Sequence, residues 1–272
     1  METPVNDHQI DLMLTDLLDI YGYDFTDYSR ASLSRRINRL YSIDHFKSFS
    51  EFRYQVRSDK TYFNRFIEQI TVNVTEMFRD PSFFKALRQE VFPVLATYPF
   101  IRIWHAGCST GEEVYSMAIF LQEAGLLHKS LLYATDINPE VVKKAASGVI
   151  PMINMNQNAD NYLHAGGMKT LAEYYTTTND HAIFNVALKN RIVFSTHNLV
   201  SESSFNQFQL ILCRNVLIYF EITLQAKVLA LFHESLDQLG YLALGSKESL
   251  KRTSHVSRYK HVSKEKIWRK LN

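Results

Sequence analysis

The sequence predicts an α/β protein: a doubly wound, mostly parallel sheet with an all-helical N-terminal domain and a small antiparallel β insertion. Three observations predict it. Apolar residues keep helical spacing as far as Ile70, strands alternate with helices from Phe100 onward, and IRIWHAGCSTGEEVYS (residues 101–116) reads as strand, glycine-bracketed loop and helix. The expected division is residues 1–72 for the helical domain and 73–272 for the α/β domain, with the insertion at about 149–190.

In chain order, Ile10, Met13, Leu14, Leu17, Leu18 and Tyr21 mark a first helix, which Gly22 breaks. The pattern resumes over 29–41, 48–57 and 60–70. The second of these helices carries Arg30, Arg35, Arg36 and Arg39 with no acid between them, either a solvated face or a docking face for an acidic partner helix. Strands are expected at 101–104, 131–135, 191–195, 208–212 and 240–245. The connection over 149–190 is too long for a plain loop; a helix near 159–172 and an antiparallel piece over 174–184 are expected there.

With 272 residues, 46% of them apolar, the chain has material for a real core, and a net charge of +2 makes no general case for nucleic acid or membrane surfaces. No apolar run reaches about 18 residues and no leader pattern opens the chain, so a cytoplasmic protein without membrane insertion is expected. Cys108 and Cys213, about a hundred residues apart, read as buried thiols, and His105 as a hydrogen-bonded core residue; no metal is expected.

The loop at 107–111 is the cofactor candidate. Pyrophosphate sits on bare N–H groups at a helix start, where carboxylates would repel it, so Glu112 and Glu113 point to a cationic or hydroxyl-bearing ligand, and S-adenosylmethionine (SAM) fits. They equally suit a helix N-terminus with no ligand at all. Asp136, about 25 residues beyond Gly111, stands where an acid bonds ribose hydroxyls in nucleotide-binding α/β folds. With Asn138 and Pro139 it also reads as a helix start.

FQLILCRNVLIYF at 208–220 completes a set with TVNVTEMFRD (71–80), AGCSTGEEVYS (106–116), ATDIN (134–138) and HNL (197–199). Together these resemble the CheR family of SAM-dependent methyltransferases, which form methyl esters on chemoreceptor glutamates; the resemblance spans nearly the whole chain. It implies a methyltransferase-type sheet, SAM as cofactor with S-adenosylhomocysteine as product, and a protein-glutamate O-methyltransferase activity that tunes adaptation. By position it places Asn73, Thr75 and Arg79 in the segment closing over the cofactor, Glu113 at its amino acid end, Asp136 at the adenosine side, and Asn198, Leu199, Arg214 and Asn215 around it. Tyr219 matches a tyrosine near the transferable methyl, the catalytic position.

The same resemblance gives the Arg30, Arg35, Arg36 and Arg39 helix a partner, the acidic cytoplasmic helices of a chemoreceptor or sensory kinase, which a monomeric enzyme would visit. The chain departs from some members at Val114, in the uncharged stretch 94–100, and at Gly245-Ser246-Lys247-Glu248, where others have a GHSE-like segment. Two other readings are a catalytically silent SAM-binding sensor or scaffold and a methyltransferase for small carboxylic acids. A dehydrogenase fits least, because of Glu112 and Glu113.

Overall fold

The computed structural model describes residues 4–271. Four helices, α1 (Asp7–Tyr21), α2 (Arg30–Ile43), α3 (Phe49–Ser58) and α4 (Lys60–Ile70), form the amino-terminal unit. Each boundary has a local cause. Asn6 and Gln9 make a reciprocal capping box at the start of α1, Gly22 closes it at φ 74°, and Asp59 accepts from Thr61 N and Tyr62 N to start α4. The inward stripes, including Ile10, Leu17, Ile37, Phe52 and Phe66, are buried completely or nearly so.

Next comes a continuous helical rod that the sequence reading omitted: α5 (Pro81–Ala86), a wide turn at Leu87–Val91, and α6 (Phe92–Leu95). The α/β part then runs β1 (Ile101–Ala106), α7 (Glu112–Glu123), β2 (Ser130–Asp136), α8 (Pro139–Ser147), β3 (Val149–Pro151), α9 (Met155–His164), β4 (Tyr175–Thr178), β5 (His181–Phe184) and α10 (Val186–Lys189). It continues through β6 (Ile192–Thr196), β7 (Phe208–Cys213), α11 (Ile222–Ser235), β8 (Leu236–Leu244), β9 (Tyr259–His261) and β10 (Ile267–Lys270).

The main sheet has the order β6-β2-β1-β7-β8-β10-β9. Its first five strands are parallel; β10 runs antiparallel to β8, and β9 to β10. This is the mostly parallel, doubly wound sheet expected, with an antiparallel edge hairpin that its short, basic strands concealed. Apolar layers cover both faces, one around Phe78, Phe84, Ile119 and Phe120, the other around Trp104, Val228 and Phe232. The chain winds outward from β1 through β2 to β6 and re-enters on the other side of β1 at β7. That reversal opens a crevice at the carboxyl ends of β1 and β7, where an open α/β sheet binds its ligand.

Two expectations about the elements need correction. The helix expected over 159–172 ends at His164, because Ala165 is followed by Gly166 at φ 86°, and α9 begins earlier, at Met155. The strand expected at 240–245 begins at Leu236; an irregularity in its pairing with β7 and a left-handed Leu239 (φ 61°) interrupt the alternation. The antiparallel insertion is present and gains a third strand, in the order β3-β5-β4.

A buried carboxylate ties the insertion to α7, beside the Tyr115–Phe184 and Phe120–Tyr162 ring contacts. Glu123 Oε1 accepts from Tyr174 OH (2.9 Å), Met168 N (3.2 Å) and Tyr162 OH, and Arg88 NH1 lies 3.2 Å from Oε2. Glu123→Ala would take the acceptor from two hydroxyls and an amide and leave the Arg88 guanidinium only its bond to Gly166 O. It is expected to cost about 3 kcal/mol in urea unfolding and to expose residues 155–184 to protease first. A loss below about 1 kcal/mol would contradict this account.

Candidate functional site

Backbone positions at the carboxyl end of β1 set the geometry. Gly107 N and Cys108 N donate to Thr135 O (2.8 and 2.9 Å), so the loop follows the end of β2 and then folds over the start of α7. Gly107 (φ 81°) must be glycine for a second reason: a Cβ there would lie 2.4 Å from Val216 Cγ2. Ser109 (φ 50°), Asn215 (φ 63°) and Asp80 (φ 58°) also hold left-handed backbone around this crevice, where non-glycine residues rarely go.

A cleft opens here. Asn73, Thr75, Arg79, Glu113, Asp136, Asn198, Leu199, Arg214, Asn215 and Tyr219 all line it, together with Arg36 from α2. The other three arginines do not. Arg30 is tied to Asp7 and Asp11 of α1 (3.3 and 2.7 Å), so acids from a neighbouring helix neutralise a charge that α2 alone left unpaired. Arg35 and Arg39 are exposed on the outer side of α2.

Asp136 and Asn138 divide the two roles that the sequence left open. Asn138 caps α8, its Oδ1 accepting from Glu140 N at 2.9 Å. Asp136 faces the cleft and takes Ser109 N on one carboxylate oxygen (2.9 Å) and Asn138 N on the other (3.0 Å). Burial raises its carboxyl above the usual range, with the amide bonds opposing.

Glu112 and Glu113 also part company. Glu112 is buried, accepts from Thr110 Oγ1 at 2.6 Å and does not line the cleft; burial raises its carboxyl. Glu113 lines it. Its Oε1 is 3.0 Å from His105 Nδ1 and its Oε2 accepts from Arg214 NH1 at 2.9 Å. Burial alone would raise the Glu113 carboxyl, but the His105 bond and the Arg214 charge outweigh it and hold it below the usual range. Arg214 also donates to Asp80 (2.6 Å) and stacks over Phe83, 3.9 Å from the ring centroid. Among the described residues Arg79 makes no ion pair, so neither Glu76 nor Asp80 is its partner; its NH1 lies 3.5 Å from Val74 O. Thr75 caps no helix, lying in the irregular stretch 72–76.

The helical unit supplies one wall. Ser29 N donates to Tyr219 O (2.8 Å), Tyr28 packs edge-on against Phe220, and Arg36 lies over the Tyr219 ring at 5.3 Å while donating to Ile70 O at 2.9 Å. Residues 77 and 78 are pinned from the other side, Met77 N to Asn158 Oδ1 and Phe78 N to Ser116 Oγ (3.2 and 2.9 Å).

Sequence reasoning missed Tyr28, Ser32, Ser109 and His197, which also line the cleft. Ser109 and His197 lie inside motifs already singled out; Tyr28 and Ser32 carry no local signal. Cys108 and Cys213 are free and buried, and burial pushes both thiols well up, which leaves them unreactive. Among the described residues no cluster of three or more metal-ligating side chains occurs, and no helix is long and apolar enough to cross a membrane.

Residues 73–267 match the family described as CheR methyltransferase, SAM binding domain, and residues 8–71 match CheR methyltransferase, all-alpha domain. A Pseudomonas putida protein named Cher3 is 45% identical over 267 residues, 97% of this chain and 97% of its own. The chemotaxis protein methyltransferase of Listeria monocytogenes is 30% identical over 232 residues, covering 84% of this chain and 85% of that one. Chemotaxis protein methyltransferase 1 of Pseudomonas aeruginosa is 29% identical over 230 residues, with 80% and 81% covered.

Proposed function

The chain belongs to the CheR methyltransferase family, and on that premise we propose that it methylates glutamate side chains on the cytoplasmic helices of a chemoreceptor or related sensory protein. S-adenosylmethionine is the methyl donor, supplying a methyl on a sulfonium and departing as the neutral thioether S-adenosylhomocysteine.

The cleft fits that cofactor. Asp136 keeps acceptor capacity for a ribose diol after its two amide bonds, and ionised Glu113 at the start of α7 suits an α-ammonium. The Nε of Arg214 and the Nδ1 of His197 are buried without a partner. In this reading Asn73, Thr75, Arg79, Asn198, Leu199 and Asn215 close around the cofactor, and Tyr219 stands at the reacting end.

One observation carries the choice of a carboxylate acceptor: Arg36, from the other structural unit, lies over Tyr219 at the wall of the same cleft. A half-buried guanidinium there draws an anionic side chain in and holds it beside Tyr219. The acceptor needs no general base, since a glutamate with a pKa of about 4.3 is ionised at neutral pH. Its oxygen bonds to the methyl carbon as the carbon–sulfur bond breaks, and no proton moves. Catalysis then comes from alignment and from excluding water, with Tyr219 orienting the acceptor. Arg35 and Arg39, exposed on the same helix, add attraction for an acidic receptor helix.

The test is methyl transfer from labelled SAM to receptor-bearing membranes, scored as base-labile ester. Arg35→Glu/Arg39→Glu is expected to raise KM for the membranes roughly tenfold at low salt, with less effect at high salt, and to leave SAM affinity unchanged. Base-stable label would overturn the carboxylate acceptor, and SAM binding with no label on any receptor membrane would overturn the reading in favour of a silent SAM-binding module.

A further inference from the structure

We infer that Glu248, which does not line the cleft, is a positioning residue that fixes the segment carrying Tyr219. This rests on the reading that Tyr219 stands at the reacting end. Glu248 is 5% exposed, and its carboxylate accepts four backbone N–H groups. Gly245 N (2.5 Å) and Asn215 N (3.1 Å) donate to Oε2; Val216 N (2.9 Å) and Leu217 N (2.8 Å) donate to Oε1.

Three of those donors belong to the turn that leads from β7 into Leu217–Tyr219. Its N–H groups have no strand or helix partner, and Asn215 is left-handed at φ 63°. An interior carboxylate therefore supplies what local structure does not. The close approach is built in from both sides. A Cβ on Gly245 would lie 2.8 Å from Glu248 Oε2 and 2.9 Å from Asn215 N, and a Cβ on Gly107 would strike Val216. The segment is thus held between the carboxylate behind it and the glycine loop in front, which leaves Tyr219 one position relative to the cleft. The Gly245-Ser246-Lys247-Glu248 stretch then has a mechanical role: its glycine makes room and its glutamate makes the bonds.

Glu248→Gln removes one acceptor oxygen and turns an NH₂ group toward the donors; Glu248→Asp keeps both oxygens on a shorter stem. Both are compared with Leu95→Ala, a buried site in α6 outside the cleft, as a destabilised control. For Glu248→Gln, kcat is expected to fall about 30-fold or more, as a displaced catalytic group would, and by a clearly larger factor than the affinity for S-adenosylhomocysteine, which Asn215 in the same segment helps to hold. Glu248→Asp should recover part of kcat, and amide exchange in the 214–220 peptide should quicken in Glu248→Gln but not in Leu95→Ala. A kcat within threefold of wild type, or kcat and cofactor affinity falling by equal factors, would overturn the inference. If wild type transferred no methyl at all, the proposed function would fail, and unchanged exchange at 214–220 would separately overturn the role of Glu248.

Discussion

Asp136→Ala is expected to weaken S-adenosylhomocysteine binding by at least about 100-fold, measured by calorimetry, and to abolish methyl transfer at ordinary cofactor concentrations. Two losses add. In the proposed pose the ribose hydroxyls lose an ionised acceptor in a nearly dry site, where each charge-assisted bond contributes about 1.5–3 kcal/mol. The amides of Ser109 and Asn138, now at 2.9 and 3.0 Å from the carboxylate, lose their partner and must reorganise the loop to find water. Asp136→Asn is the informative second variant, because it keeps the volume and one acceptor while placing an NH₂ against one of those amides. Its affinity should lie between the other two. Since burial raises the Asp136 carboxyl, the neutral form should appear sooner on acidification than for an ordinary aspartate, and cofactor affinity should decline with it. Binding by the alanine variant within threefold of wild type would remove Asp136 from the site.

How much of this was legible in the sequence depends on the range of the interaction. The sheet, the glycine loop and the helical unit were legible because each follows from local periodicity or from a turn that only glycine makes. The edge hairpin β9–β10 was not: its strands are three and four residues long and interrupted by charges, so no period develops. On local chemistry Glu112 and Glu113 looked equivalent, and only the family resemblance singled out Glu113; the helix rotation supplies the physical reason, sending one to Thr110 and the other to Arg214. The arginines of α2 were uncompensated within their own helix; Asp7 and Asp11, about twenty residues earlier, come alongside only when α1 packs. Glu248 was visible as part of a motif, but its four donors lie on two loops and emerge only with the fold.

Arg214→Met is expected to destabilise the protein by about 3–5 kcal/mol at pH 7 and to remove cofactor binding, because it strips the shared cation from two carboxylates at once. Arg214 is 2% exposed at its side chain, donates to Glu113 at 2.9 Å and to Asp80 at 2.6 Å, and lies over Phe83. Methionine retains packing on Phe83 but leaves Glu113, on α7, only its His105 bond, and takes from Asp80, at the head of α5, its arginine partner. The pH dependence separates loss of charge from loss of packing. The Glu113 carboxyl is held below its usual value in the folded protein, so the folded state binds fewer protons there than the unfolded state does. That contribution is present above the ordinary glutamate pKa of about 4.3 and is lost as pH falls through the lower folded value. The His105 bond is the largest of the causes that lower the carboxyl and the Arg214 charge the next, so the variant, which loses the second, has less to lose on acidification. Urea unfolding at pH 7 and again below pH 4 should therefore show the gap between wild type and Arg214→Met narrowing in acid. A gap of equal size at both pH values would assign the arginine a packing role only and would leave Glu113 free of it.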